Sequence, residues 1–459
     1  MPARVILRDY QQRAVDQCLR SNTLLKIPMG GGKTIIALST AFEMPPATWL
    51  ILCPNALTTQ WRSEIAKVSA LNYRVWTMDD FYTTNGKRWQ WVDRPNNNIH
   101  NFLIIPYSMI WREKAEWPIN HLRPTNLICD ESQNLKNYGT KRKPIRVTRW
   151  VVDNCDRFDR RLLLTGTVAK EPGHLWPQYR ILGDNAVGGM NHYQFELAFS
   201  VFKEIPLSGR KKIKKFIGLR DEERLRNLLG PWTCNVSEEE VYAELPALTH
   251  VNVRVEPSSA QIKLYKQVRA QLEHLYDTYP SLVVEQAMHV VQKLHKVSSG
   301  VLREGPLAPN PKLYTAIDLI REDNCPWIVW ATYRADVDYL VEQLAAAFQD
   351  RPVAKLYGGM SDDQRQSAIE QYNQGGILVA NPSVGGVGLN LQAGNRMIYF
   401  SHPWSWFVRK QSMHRQHRTG QDKPTFIYDL VCLPIDQRII DGYERGEEFE
   451  KSIIGPDQL

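Results

Sequence analysis

The sequence predicts an α/β protein of two tandem parallel-sheet lobes with a helical insertion between them. Short apolar runs alternate with helix-period stretches in the first part of the chain. The rhythm stops near residue 171, and a second alternating series begins near residue 326. At 459 residues the chain is also too long for one ordinary core, so two or three domains are expected.

In chain order, Leu24, Leu25, Lys26 and Ile27 form the first strand-like run. "TWLILCP" (48–54), "NFLIIPY" (101–107), "TNLICDE" (125–131) and "RRLLLTGT" (160–167) follow. Nearly continuous apolar runs separated by helical patterns suit strands buried on both faces of a parallel sheet. Residues 171–300 are longer, more helical and more charged, with the basic run "GRKKIKKF" at 209–216 and "ELPALTH" (244–250) as the connection between lobes. The second series is "PWIVWATY" (326–333), "VAKLYGG" (353–359), "GGILVANP" (375–382), "RMIYFSHP" (396–403) and "FIYDLVC" (426–432). The expected division is therefore 1–170, 171–300 and 301–459.

The chain is 43% apolar and 23% charged, as in soluble globular proteins, and no apolar run approaches the roughly 20 residues that span a bilayer. "MPARVILRDYQQRAVD" carries no secretory signal, so the protein is expected in the cytoplasm and not in a membrane. Seven scattered cysteines show no zinc spacing and read as buried thiols. A net charge of +8 favours a polyanionic partner without requiring one.

The chemistry begins at "KIPMGGGKTIIAL" (26–38), a strand, a turn through Gly30, Gly31 and Gly32, and a helix pattern opening on Lys33 and Thr34. Such a turn points backbone N–H groups at a phosphate. Ile27 stands where the literal phosphate-loop pattern has its first glycine, so a plain strand-to-helix turn is the alternative. At the end of the fourth run come Asp130 and Glu131. One carboxylate can hold Mg²⁺ while the other orients and deprotonates water. With Lys33 on phosphates and Thr34 on the metal, these are parts for nucleotide hydrolysis. "QSMHRQHRTGQ" (411–421) adds Arg415 and Arg418, on one face if helical, as cations for the transferred phosphoryl group.

These segments together resemble the Swi/Snf-type DNA translocases of helicase superfamily two, most of all small annealing-helicase-like members of bacterial or phage type. The resemblance runs in order through "LRDYQ", "MGGGKT", "CPNALTTQW", "DESQNLKN", "LLLTGT", "PWIVWATYRADVD", "NPSVGGVGLNLQAGNRMIYF" and "QSMHRQHRTGQ". It implies two RecA-like lobes, ATP and Mg²⁺ as cofactors and DNA as partner; the sequence does not give the oligomeric state, for which a monomer is the expectation. By resemblance Gln11 reads adenine with Arg8 and Tyr10 beside it, and Gly30 to Thr34 hold phosphates. Asp130 holds Mg²⁺ with Thr34, Glu131 is the general base, and Thr165 and Thr167 couple nucleotide to DNA. Gly388 lies near the nucleotide, and Arg415 and Arg418 act as fingers once the lobes close. Gln133 stands where the family often has His, and Trp406 and Arg409 break its usual pattern before the last motif.

The DNA-gripping candidates are Gln60, Trp61, Tyr107, Ser108, Thr332, Arg334 and Ser383, with Lys211 and Lys212 in the basic run. Polar side chains and short basic contacts to phosphates carry no sequence information and so permit stepping. The expected function is ATP-driven remodelling of branched DNA by branch migration, fork regression or limited unwinding. The alternatives are a translocase that displaces proteins without separating strands, and an ATP-dependent clamp that does not turn over.

Overall fold

The computed structural model describes residues 6–69, 72–83, 87–89, 92–140, 143–166, 171–206, 212–243, 245–278, 283–303, 305–385, 391–418 and 420–444. Thr167, Lys211 and Gly388 lie outside these residues, as does the side chain of Lys212. Two compact units emerge, Met1–Ala243 and Glu244–Leu459.

In the first unit, β1 (Thr23–Lys26), β2 (Thr48–Cys53), β3 (Tyr73–Trp76), β4 (His100–Pro106), β5 (Asn126–Cys129) and β6 (Arg160–Thr165) belong to one sheet. Every residue of β2, β4 and β5 is buried, as their unbroken apolar runs require. The stretch 171–300 is largely but not wholly helical. It contains the hairpin β7 (Ser200–Pro206) and β8 (Lys212–Leu219), then β9 (Thr233–Asn235), which pairs in parallel with β1. The described part of the basic run lies in β8. The seven-stranded order is β3-β4-β2-β5-β6-β1-β9, all parallel.

In the second unit, β10 (Leu248–Arg254) is an edge strand where the sequence suggested a connection, and pairs with the last strand of the sheet. A short hairpin joins β11 (Val301–Leu302) and β12 (Gly305–Pro306). Then come β13 (Trp327–Trp330), β14 (Val353–Leu356), β15 (Ile377–Ala380), β16 (Arg396–Tyr399) and β17 (Thr425–Val431), in the parallel order β10-β17-β16-β13-β15-β14. None of the helices among the described residues is long and apolar enough to cross a membrane.

The second unit encloses a polar core that the apolar pattern did not announce. Lys312 is fully buried 2.9 Å from Asp436 and also donates to the Phe400 carbonyl at 3.1 Å. Arg409 meets both carboxylate oxygens of Asp429 at 2.8 Å and stacks its guanidinium 3.4 Å from the Tyr399 ring centre, which explains a basic residue at this unusual position. Beside them, burial pushes the His295 imidazole down to about 3 and that of His402 to about 4. Both are therefore neutral when folded, and the unfolded chain takes up protons first. Folding stability should accordingly fall as pH drops below about 6.5, the unfolded value, and go on falling toward those folded values. Melting temperatures of the wild type and His402→Gln between pH 8 and 5 test this: the wild type should lose more on acidification, and equal slopes would show that His402 is not held neutral.

Candidate nucleotide site

The carboxyl ends of β1, β5 and β6 meet at one edge of the first sheet, where open parallel sheets place ligands. The chain leaves β1 through Ile27, whose N–H donates to the Thr165 carbonyl at 3.1 Å, and turns into the helix Lys33–Glu43. Gly30 and Gly32 have φ of 76° and 80°, which only glycine takes without strain. A Cβ at Gly32 would lie 2.4 Å from Gln11 Nε2, and one at Gly31 would lie 2.5 Å from Ile27 Cγ2. The three glycines are thus required by backbone shape and by close approach. Lys33 Nζ donates to the carbonyls of Ile27 at 3.0 Å and Pro28 at 3.3 Å, so the ammonium sits over the loop. Thr34 follows it, half-exposed at the second position of the helix.

Side chains from two flanks fix the loop. Tyr10 hydroxyl and Gln11 Nε2 both donate to the Gly31 carbonyl, at 3.1 and 3.3 Å, and both residues are buried. On the other side, the pairing of β9 with β1 brings in the helix Glu238–Tyr242. Its Tyr242 hydroxyl donates to the Met29 carbonyl at 3.0 Å, and Arg8 donates to the Val241 carbonyl at 3.4 Å. Sequence reading missed Val241 and Tyr242, since "EEEVYAEL" carries no pattern that places it on the loop.

Asp130 and Glu131 have different partners. Asp130 is buried, and its carboxylate accepts from Trp61 Nε1 and from the Glu131 N–H, each at 2.9 Å. Burial and then the Glu131 charge push the Asp130 carboxyl up to about 7, against the Trp61 hydrogen bond and the Lys33 charge. Glu131 is half-exposed at φ 50° and ψ 52°, a left-handed conformation rare outside glycine and typical of strained functional positions. Gln133 Nε2 donates to Glu131 Oε2 at 2.5 Å, and Thr165 Oγ1 donates to Gln133 Oε1 at 2.8 Å. A carboxylate only accepts, so the Gln133 amide can serve both partners in one orientation alone. With Glu131 as the expected base, Gln133→Leu should lower kcat for ATP hydrolysis at least about tenfold with nucleotide affinity little changed, because a loosened carboxylate would misplace the attacking water. Equal kcat in stopped assays of the two proteins would show that Glu131 is held by other means.

Two of the expected DNA contacts are corrected. Trp61 and Tyr107 are buried, and they support Asp130, Tyr107 by donating to its backbone carbonyl at 2.8 Å. Gln60 is half-buried, whereas Ser108 is exposed just beyond β4. In the second unit, Arg334 and Ser383 are exposed. Thr332 is half-buried and donates to the Ser401 carbonyl at 3.0 Å. Arg415 and Arg418 share no helix face, because the helix Trp406–Met413 ends before them. They lie half-exposed in successive turns, anchored where the Arg415 carbonyl accepts from the Leu391 N–H at 3.2 Å and the Arg418 carbonyl from Gln392 Nε2 at 3.2 Å.

The donor set fits a nucleotide phosphate chain with one hard cation: a glycine cradle with no room for Cβ, an ammonium above it, and a single buried carboxylate with a hydroxyl across the loop. With a second parallel sheet downstream, this defines the class as a helicase-type ATP hydrolase. The SNF2-related domain model matches residues 10–301 and the helicase conserved C-terminal domain model matches 311–421. The chain belongs to the SNF2-related family. It is similar to the DNA repair and recombination protein RAD54B of Mus musculus, 24% identical over 93% of this chain and 52% of that protein. It is also similar to the probable ATP-dependent DNA helicase CHR23 of Arabidopsis thaliana, 25% identical over 91% of this chain and 40% of that one. The chain thus spans about half the length, or less, of these relatives. The Sulfolobus solfataricus SWI2/SNF2 ATPase core in complex with dsDNA aligns with a TM-score of 0.41 and 19% identity, over 100% of this chain and 95% of that one.

Proposed function

We propose that this protein couples Mg²⁺-dependent ATP hydrolysis to movement along DNA and remodels branched structures, by branch migration, fork regression or limited unwinding. The observation that carries the reading is the Thr165–Gln133–Glu131 chain of hydrogen bonds in a member of the SNF2-related family, since it ties the strand beside the phosphate loop to the carboxylate that would activate water. Lys33 and the N–H groups of Gly30, Gly31 and Gly32 would bind the β- and γ-phosphates, and Thr34 and Asp130 would hold Mg²⁺. Mg²⁺ supplies neutralisation of phosphate charge during transfer. Glu131 would orient the attacking water and take its proton, while Arg415 and Arg418 would supply the remaining positive charge. Gln11, with Arg8 and Tyr10, would read adenine.

Branched DNA as substrate is favoured by likeness to proteins named for DNA repair and recombination. Steady-state ATP hydrolysis should be measured without nucleic acid and with single-stranded, duplex, forked and four-way-junction DNA and RNA, together with junction resolution by gel shift. Strongest stimulation by forked or four-way DNA, with ATP-dependent conversion of the junction, is the expected result. Stimulation by duplex without strand rearrangement would favour a protein-displacing translocase, and binding without turnover would favour a clamp.

A further inference from the structure

The first unit carries a groove that the nucleotide site does not use. It has a volume of about 690 Å³ and is lined by Trp111, Arg112, Glu113, Arg146, Arg149 and Trp150, among others. Trp111 also lines a second hollow of about 310 Å³ that includes Asn55 and the exposed Ser108, so the two adjoin along the carboxyl-terminal edge of β2 and β4. Glu113 is the single carboxylate among the lining residues, against three arginines.

The arginines are not consumed by the fold. Among the described residues none of Arg112, Arg146 and Arg149 has an ion-pair partner, and the Arg149 Nε is buried without a hydrogen bond. Arg112 and Arg146 lie with their guanidinium carbons 5.3 and 4.9 Å from the Trp111 ring centre, and Arg149 lies 5.0 Å from that of Tyr138. A guanidinium against an aromatic ring sheds water from its face while its in-plane N–H donors remain available, which suits a phosphate oxygen. Two helices also begin here, Glu113–Leu122 after Arg112 and Arg146–Asn154 after Ile145, and neither has a side-chain cap on its first N–H groups. The second, with no acidic residue in its first turn, presents the positive end of the helix at this groove, whereas Glu113 and Glu116 offset it in the first.

We propose that this groove binds the phosphodiester backbone of DNA beyond the Ser108 contact, with Arg112, Arg146 and Arg149 on successive phosphates. This rests on the reading of the chain as a DNA-dependent motor and extends its track across a surface outside the helicase motifs. The sequence holds the signal in "KRKPIRVTRW" (141–150), where basic residues punctuate the approach to Trp150.

The test uses the full chain with fluorescent DNA and RNA duplexes, with affinity measured between 50 and 200 mM salt. Arg112→Glu/Arg146→Glu changes two exposed residues, and Arg149→Met removes the half-buried one separately, with melting curves for both. The double variant should bind duplex at least about tenfold more weakly. Its slope of log affinity against log salt should fall by about 1.8, since each lost phosphate contact removes about 0.9. ATP hydrolysis without DNA should be unchanged. Wild-type affinity and slope in a folded double variant would overturn the groove while leaving DNA-stimulated turnover, and with it the motor reading, intact. A wild type that neither binds duplex nor is stimulated by DNA would remove both, and weakened binding of RNA alone would overturn the assignment to DNA.

Discussion

Glu131→Gln should lower kcat for ATP hydrolysis by about 10²–10⁴-fold while leaving nucleotide affinity near the wild-type value. The substitution keeps the shape of the side chain and its place beside Gln133, whose donating amide can still meet an oxygen at this position. It removes what the carboxylate would supply as the proposed base, which is acceptance of a proton from water. Glu131 is suited to that task by its surroundings. It is half-exposed and held in a left-handed backbone conformation, whereas its neighbour Asp130 is buried beneath Trp61. Equilibrium binding of a labelled ATP analogue, with single-turnover hydrolysis in parallel, checks both halves. Residual turnover above about a tenth of wild type would mean that water is activated by another group.

Lys312→Met should cost about 3–5 kcal/mol of folding stability in the second unit, because it leaves the Asp436 carboxylate buried without its cation. Both side chains have zero exposure, and Lys312 also satisfies the Phe400 carbonyl at the end of β16. Burial works to raise Asp436, yet the ammonium at 2.9 Å overrides it and holds the carboxyl at about 2. That carboxylate further accepts from Ser298 Oγ and from the Cys432 N–H, so its loss of charge balance reaches three segments of chain. Urea unfolding of the full chain measures the effect. The double variant Lys312→Met/Asp436→Asn should recover part of the loss, since Asn keeps an acceptor without a charge. A single-variant loss below about 1 kcal/mol would mean that water or relaxation already screens the carboxylate.

Much of this was legible in the residues. The central strands of both sheets declare themselves because strands buried on both faces must be apolar throughout, and β2, β4 and β5 are buried at every position. Strands β3, β9 and β10 did not, for a related reason. They are short or lie at sheet edges, where water accepts polar side chains and the apolar signal thins. The acidic pair and the glycine turn were likewise readable, because backbone shape and charge chemistry restrict which residues can stand there.

Side-chain direction was not readable. Trp61 and Tyr107 sit in segments expected to face DNA, yet both turn inward to Asp130. Position within a motif sets sequence spacing, whereas packing decides which face of a helix or strand end meets the core. Gln133 shows the same limit: its partners Glu131 and Thr165 are two and 32 residues away, and only the pairing of β6 between β5 and β1 brings the hydroxyl to the amide. The sequence by itself determined the stock of chemical groups and the class of fold, since both follow from local composition and period. The tertiary structure alone decided which polar atoms meet, because hydrogen bonds depend on ångström-scale placement that parallel strands far apart in the chain impose on one another.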